Sequence, residues 1–349
     1  VDIRPDLGTR RRAGAARGRF GQGPAFEFFR PGWVCHRDGV SEPGGPGRGA
    51  RIAVEPPCWR RDALVAAVEA GGGTVVELDD ASALVWADPQ APDLLPEHVH
   101  DGLDWVQLPY AGVEPFIHML DRDRMWTCGK GVYTRPVAEH ILAFILAAFH
   151  NLGPYSAATE WTPPVGRNLY GSRVLILGGG GIVRDLLPLL APFGTHNVVL
   201  RRTPAPLDGA RSVATLESLH DELPLADVVV LALAVTAETI GVIGAPELAL
   251  MKDDAWLVNL ARGVHVDTEA LVDAFEAGAI GGACLDVTEP EPLPTGHPLW
   301  SFDNCLITPH VGNTPEMGIA LLADRVTENV MRYRAGEKLI GPVDLDLGY

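Results

Sequence analysis

The chain has 349 residues, 47% of them hydrophobic, which is enough to bury large cores and to form two domains. Its formal charge is -17 and its sequence pI is near 5.0, so its surface repels nucleic acid and anionic lipid, and neither is expected as a partner. Five cysteines, Cys35, Cys58, Cys128, Cys284 and Cys305, are an odd number without C-x-x-C spacing; they argue against a disulfide frame or zinc site and fit reduced thiols in a cytoplasmic protein.

Residues 1 to 50 carry nine Arg against five acids and are rich in Gly and Pro, a composition expected of a disordered tail. No apolar core follows the Arg10, Arg11, Arg12 cluster, so neither a secretory nor a twin-arginine signal is expected. From Arg51 onward short apolar runs alternate with helical patterns: RIAVE, a helix near Arg61 to Ala70, then TVVEL, ALVWA and WVQLP. The segment Val137 to Leu152 includes Glu139, His140 and His150 and is too short to span a bilayer; being apolar almost all round, it predicts a helix buried between layers. A second series follows: RVLIL, NVVLR, DVVVLALA, AWLVNLA, ACLDV and NCLIT. Continuous runs such as Val228 to Ala234 fit strands buried on both faces, and the alternation predicts two α/β domains of parallel strands covered by helices. The closing helix has readable ends, with Thr314 as its cap, Pro315 in its first position and Gly336 to stop it.

Val174 to Leu177 is a strand pattern, Gly178 and Gly180 supply the first two glycines of G-x-G-x-x-G, and Ile182 to Leu190 continues as a helix. Glycine suits a turn that needs positive φ and a backbone that must approach a pyrophosphate; the phosphate then sits on amides at the helix start, near Gly181 and Ile182. A plain tight turn is the alternative, and the strand before and helix after the loop favour the cofactor reading. The third motif position is Val183, and Pro188 removes a hydrogen bond within the helix. Where the next strand of such a unit usually ends in an acid, this chain has Arg201, followed by Arg202 and Thr203. Guanidinium groups bind the extra phosphate of NADP that a carboxylate would repel, so NADP(H) is preferred, with NAD(H) the alternative if both arginines are solvated surface charges.

Three polar residues each stand just beyond an apolar run: Arg262 in VNLARG, Glu291 in DVTEPEP and His310 in LITPH. Hydride transfer between a nicotinamide and a 2-oxo or 2-hydroxy carbon needs a cation to polarise the oxygen and a group that moves its proton. Arg262 can hold the substrate oxygens in a planar fork, His310 can serve as acid and base, and Glu291 beside it favours the imidazolium. Singly each has a bland explanation; their order and strand-end placement make the set.

From about Arg51 to Tyr333 the chain resembles the D-isomer-specific 2-hydroxyacid dehydrogenase family, which includes glyoxylate/hydroxypyruvate reductases and phosphoglycerate dehydrogenases. The matching segments are YAGVEPF at Tyr110, VAEHILAFILA at Val137, the glycine loop, the run from ETIGVIG to NLARG, ACLDVTEPEPLP, HPLW and TPHVGNT. The resemblance implies a Rossmann nucleotide-binding domain at 136–315 and a flavodoxin-like substrate domain at 51–135 that the last helix, within 316–345, rejoins. It gives Arg262, Glu291 and His310 the catalytic roles, sets Asp286 against the nicotinamide carboxamide with Thr236 and Ala261 also beside the cofactor, and has the amides of Ala111, Gly112 and Val113 cradle the substrate carboxylate. It further implies a small 2-oxo or 2-hydroxy acid as substrate and a homodimer. Val183, Arg201 and the tail before Arg51 depart from the family pattern; Glu139 and His140 are assigned to domain contact, and His118, His150 and His265 to nothing. Formate dehydrogenase, of the same fold, pairs its histidine with glutamine, where Glu291 would oppose formate. The C-terminal binding protein corepressors use the fold to bind partners, which makes a nucleotide-sensing binding protein the alternative function.

Overall fold

A computed structural model of the protein describes residues 49–346; the expected tail lies, but for its last two residues, outside the described residues. The first half of the described chain runs β1 (Arg51–Glu55), α1 (Arg61–Ala70), β2 (Thr74–Val75), β3 (Ala83–Trp86), β4 (Trp105–Gln107) and β5 (Met125–Thr127). These five strands form one parallel sheet in the order β2-β1-β3-β4-β5, with Ile52 opposite Ala83 and Val54 opposite Val85. Two helices follow, α2 (Thr134–Phe149) and α3 (Leu152–Ala157).

A second series comprises β6 (Arg173–Leu177), α4 (Gly181–Leu190), β7 (His196–Leu200), β8 (Ser212–Ala214), α5 (Leu219–Glu222), β9 (Val228–Leu231), α6 (Ala245–Leu250), β10 (Trp256–Asn259), α7 (Thr268–Glu276), β11 (Gly282–Leu285), β12 (Cys305–Ile307) and α8 (Pro315–Ala335). Its seven strands pair in parallel in the order β12-β11-β10-β9-β6-β7-β8. The chain thus carries two doubly wound parallel sheets, the second with the strand order of a Rossmann fold.

Alternation along β9 shows why that run is apolar throughout. Val229 and Leu231 join one core with Leu175, Leu257 and Leu271, whereas Val228 and Val230 join the core on the opposite face with Ile176, Val258 and the α2 residue Ile145. A strand buried on both faces needs no polar side, and each of these side chains contributes about 1.5–3 kcal/mol by leaving water.

The segment Val137–Leu152 departs from the single buried helix expected of it. Helix α2 ends at Phe149, His150 caps it, and Asn151 turns left-handed (φ 53°) before α3 starts a new direction. One side of α2, with Ala138, Ile141, Phe144 and Ile145, packs on α4 and on β10 and β11, while Glu139 and Ala143 reach solvent. Helix α4 continues through Pro188, which lies in its final turn. The termini of α8 follow local chemistry: Thr314 accepts the Met317 amide, Pro315 starts the helix and Gly336 ends it left-handed at φ 68°.

Helix α8 packs on α1, burying Leu322, Val326 and Val330 against Ile52, Leu64 and Val68. Its buried Asn329 donates to Gln107 Oε1 at 2.9 Å and to the Ile340 carbonyl at 3.0 Å, which ties the helix to β4 and to the chain end. Among the described residues no helix is long and apolar enough to cross a membrane, and no group of three or more His, Cys, Asp and Glu could hold a metal ion.

Candidate active site

In both sheets all strands run the same way, so the loops after them open along one edge. In the second sheet the order reverses between β6 and β9, and loops diverging at such a point leave a crevice for a ligand. The glycine loop follows β6. Gly178 has φ 114°, and a Cβ there would lie 2.1 Å from the Ala232 carbonyl oxygen, so only glycine fits. Gly180 caps α4, and a Cβ on it would project into open space, leaving its backbone accessible to a ligand. Gly181 and Ile182 open α4, whose start presses on α2: a Cβ on Gly181 would meet Thr134 at 2.6 Å. Val183, at the third motif position, is fully buried in the core shared by α2 and α4.

Arg201, at the end of β7, lays its side chain along the glycine loop, with Cδ 2.7 Å from where a Gly179 Cβ would be. Arg202 and Thr203 beside it are exposed. After β9, the Thr236 amide donates to Thr239 Oγ1 at 2.8 Å, and that buried hydroxyl donates in turn to the Ala234 carbonyl. Ala261 is buried after β10, its carbonyl accepting from Arg262 Nη1 at 2.8 Å.

Arg262, Glu291 and His310 follow β10, β11 and β12, three neighbouring strands. His310 Nδ1 lies 2.6 Å from Glu291 Oε1, and both side chains stay half-exposed, so the ring keeps access to a ligand while one nitrogen is occupied. The histidine backbone is left-handed (φ 53°), held by its amide donating to the Asp286 carbonyl at 2.8 Å. The Asp286 carboxylate is buried and accepts from the amides of Val311 and Gly312, each at 2.8 Å, and from the Thr308 hydroxyl. Its visible work is therefore to hold the loop that carries His310.

Arg262 reaches the first sheet. Its Nε and Nη2 each lie 3.2 Å from Glu114 Oε1, and a Cβ on Gly112 would be 2.3 Å from Nη2. The guanidinium thus rests on the Gly112 backbone in the loop after β4. Among the described residues the amides of Ala111, Gly112 and Val113 donate to no acceptor, while the Val113 side chain is buried and the Ala111 carbonyl accepts from Cys128 Sγ. A guanidinium beside unspent amides is chemically able to hold an anion.

The model of the NAD-binding domain of D-isomer specific 2-hydroxyacid dehydrogenases matches residues 142–312. Glyoxylate/hydroxypyruvate reductase A of Yersinia enterocolitica serotype O:8 is 30% identical over 281 residues, covering 76% of this chain and 87% of that protein. The chain belongs to this family. It is an NAD(P)-dependent D-2-hydroxyacid dehydrogenase, an oxidoreductase acting on CH–OH donors. An uncharacterised protein of Corynebacterium melassecola is 36% identical over 310 residues, 86% of this chain and all of that one. A D-isomer specific 2-hydroxyacid dehydrogenase from Xanthobacter autotrophicus Py2, solved in complex with NADPH and MES, superposes with a TM-score of 0.74 at 28% identity over 86% of this chain and 100% of its own.

Residues with no catalytic or binding role expected from sequence support these side chains. Asn259, buried at the end of β10, donates to the Arg262 carbonyl at 2.9 Å and accepts the Ala261 amide at 3.0 Å, which sets the turn from which the arginine projects. Thr308 lies 3.5 Å from His140 Nε2; since its hydroxyl donates to Asp286, the imidazole N–H donates to it. His265, unassigned from sequence, is fully buried with Nδ1 2.8 Å from the Thr239 carbonyl, joining the Thr236 loop to the Arg262 loop. Burial lowers its pKa below the ordinary imidazole value, and the charge of Arg262 adds to this.

Proposed function

We propose that the dehydrogenase reduces a small 2-oxo acid to its D-2-hydroxy acid, with NADPH preferred to NADH. The observation that carries this reading is the Arg262 guanidinium resting on the Gly112 backbone beside three undonated amides, with a carboxylate-paired histidine two strands away. The substrate carboxylate binds the Ala111, Gly112 and Val113 amides and exchanges with Glu114 at the Arg262 fork. Arg262 then holds the 2-oxo oxygen and stabilises the charge that grows on it. His310, its Nδ1 directed at Glu291, delivers the Nε2 proton to that oxygen as it becomes a hydroxyl.

The glycine loop fits a dinucleotide: Gly180 leaves its backbone open, and Gly181 and Ile182 present the first amides of α4 to a pyrophosphate. When bound, the nicotinamide supplies the hydride for the substrate's C2. Thr236, Ala261 and Asp286 would border it. Arg201, flanked by Arg202 and Thr203 and stretched along Gly179, is suited to a 2′-phosphate, which supports the NADP(H) preference. Exposed apolar side chains at Leu152, Trp161, Val165 and Tyr170 support a homodimer, which light scattering would read as twice 37.3 kDa.

Purified protein is expected to oxidise NADPH when given glyoxylate, hydroxypyruvate or another small 2-oxo acid; no consumption across a broad panel overturns the reading. His310→Ala should lower turnover by about 10²- to 10⁴-fold while NADPH fluorescence still reports binding. Arg201→Asp should shift the cofactor ratio toward NADH.

A further inference from the structure

The first sheet has a topological switch point of its own. Its order β2-β1-β3-β4-β5 reverses between β1 and β3, so the loops after those strands, Pro56 to Arg60 and Ala87 onward, diverge and leave a crevice at the same edge as the Gly112 loop. Arg60 stands in it. Only 2% of this residue is exposed, and among the described residues its buried Nε and Nη1 have no hydrogen-bond partner. Trp59 lies beneath the guanidinium at 5.6 Å.

The charge of the same cation is felt at the substrate loop. Burial raises the pKa of the Tyr110 hydroxyl, and Arg60 pulls it back down while Asp88, after β3, pushes it up. Tyr133, whose hydroxyl donates to the Pro109 carbonyl at 2.7 Å, is pushed up to about 12 by burial against the same opposing pull from Arg60. The Arg60 charge thus acts on Tyr110, one residue before the amides of the proposed carboxylate cradle, and on Tyr133, whose hydroxyl holds the Pro109 carbonyl. A buried charge without an acceptor is costly, and a fold that keeps one at the edge of a substrate site has a use for it.

Building on the function proposed above, we infer that Arg60 is a specificity-determining residue and that the favoured substrate is a 2-oxo acid whose far end carries a second carboxylate. The near carboxylate takes Arg262 and the Gly112 loop, and the far one is taken up by Arg60. A carboxylate suits this site better than a phosphate, because a singly charged group costs less to strip of water at a buried cation.

The test compares oxaloacetate and 2-oxoglutarate with pyruvate and 2-oxobutyrate, using NADPH, on the unmodified enzyme, Arg60→Met and Arg60→Lys. The unmodified enzyme should favour a dicarboxylate at least tenfold in kcat/KM. Arg60→Met should collapse that ratio, and Arg60→Lys should restore part of it. Methionine matches the buried stem and removes an unpaired charge, so the variant should melt no lower than the parent. In calorimetric titration of the unmodified protein with NADP+, D-malate should bind at least tenfold more tightly than D-lactate. Equal losses for both classes in Arg60→Met, no wild-type preference, equal binding of malate and lactate, or a preference for 3-phosphonooxypyruvate would each overturn the inference. If no 2-oxo acid is reduced while D-malate still binds selectively, the hydride-transfer reading fails and the anion site stands. Turnover of monocarboxylates alone sinks only the anion site.

Discussion

Gly263 and Thr288 pack backbone against backbone: a Cβ on Gly263 would lie 1.9 Å from the Thr288 carbonyl oxygen. Gly263 follows Arg262, and Thr288 lies in the loop that runs from β11 to Glu291, so this contact sets two proposed catalytic side chains in one frame. Gly263→Ala must push the loops apart by more than 1 Å. Displacements of that size cost about 10²-fold in rate when reacting groups are misaligned. The variant should lose about that factor in kcat and melt a few degrees lower, as steady-state kinetics and a thermal scan would show.

Glu114 holds the fork of Arg262 that the substrate carboxylate would use. Both side chains are partly exposed, and such pairs are worth about 0–1 kcal/mol, so the competition is weak. Glu114→Gln should therefore lower KM for a 2-oxo acid by no more than about fivefold, with kcat little changed. A rise in KM would instead assign Glu114 to holding the arginine in position.

Among the described residues the Thr308 hydroxyl is one of three donors on the Asp286 carboxylate, and the other two are the amides just after His310. Thr308→Val keeps the shape and removes the donor, leaving a buried carboxylate with one partner fewer at a cost of about 1–3 kcal/mol. We expect kcat to fall several-fold from a loosened His310 loop while NADPH affinity holds, measured by turnover and by cofactor fluorescence on the same preparation.

What was visible in the sequence is what local chemistry or burial on both faces dictates. Thr314, Pro315 and Gly336 mark the ends of α8 because capping is decided within a turn, and the run from Val228 marks β9 because both faces of that strand are dry. The edge strand β8 (Ser212–Ala214) and the strand β5 (Met125–Thr127) are three residues long and mix polar with apolar side chains, so neither shows a period. The break at Asn151 was hidden by the apolar residues on either side of it, although asparagine is the residue that tolerates the left-handed turn found there. Arg262, Glu291 and His310 stood out as polar residues at strand ends, and the structure brings Glu291 to His310 and Arg262 to Gly112. Glu114, Asn259 and Thr308 carry no such mark, since their roles exist only once distant loops meet.

Asp227 offers a pH test at the opposite edge of the second sheet. It precedes β9 and accepts from Lys252 Nζ at 2.8 Å and from the Arg173 amide at 2.7 Å, with Arg167 at 3.8 Å. Burial alone would raise its pKa, but the Lys252 hydrogen bond, the Arg173 amide and the two positive charges outweigh burial and leave it below the ordinary carboxylate value. A carboxylate with a depressed folded pKa stabilises the protein above the unfolded value of about 3.9, and that stability is lost as pH falls through the folded value. Asp227→Asn should cost about 1–3 kcal/mol at pH 7 and lower Tm by a few degrees, because the Lys252 and Arg173 donors lose a charged acceptor. Near pH 3 the gap between variant and parent should narrow as the parent's carboxylate protonates. Since the residue lies at the strand starts, away from the loops that carry Arg262 and His310, turnover at pH 7 should stay within about twofold of the parent, and Tm measured at both pH values on both proteins decides the matter.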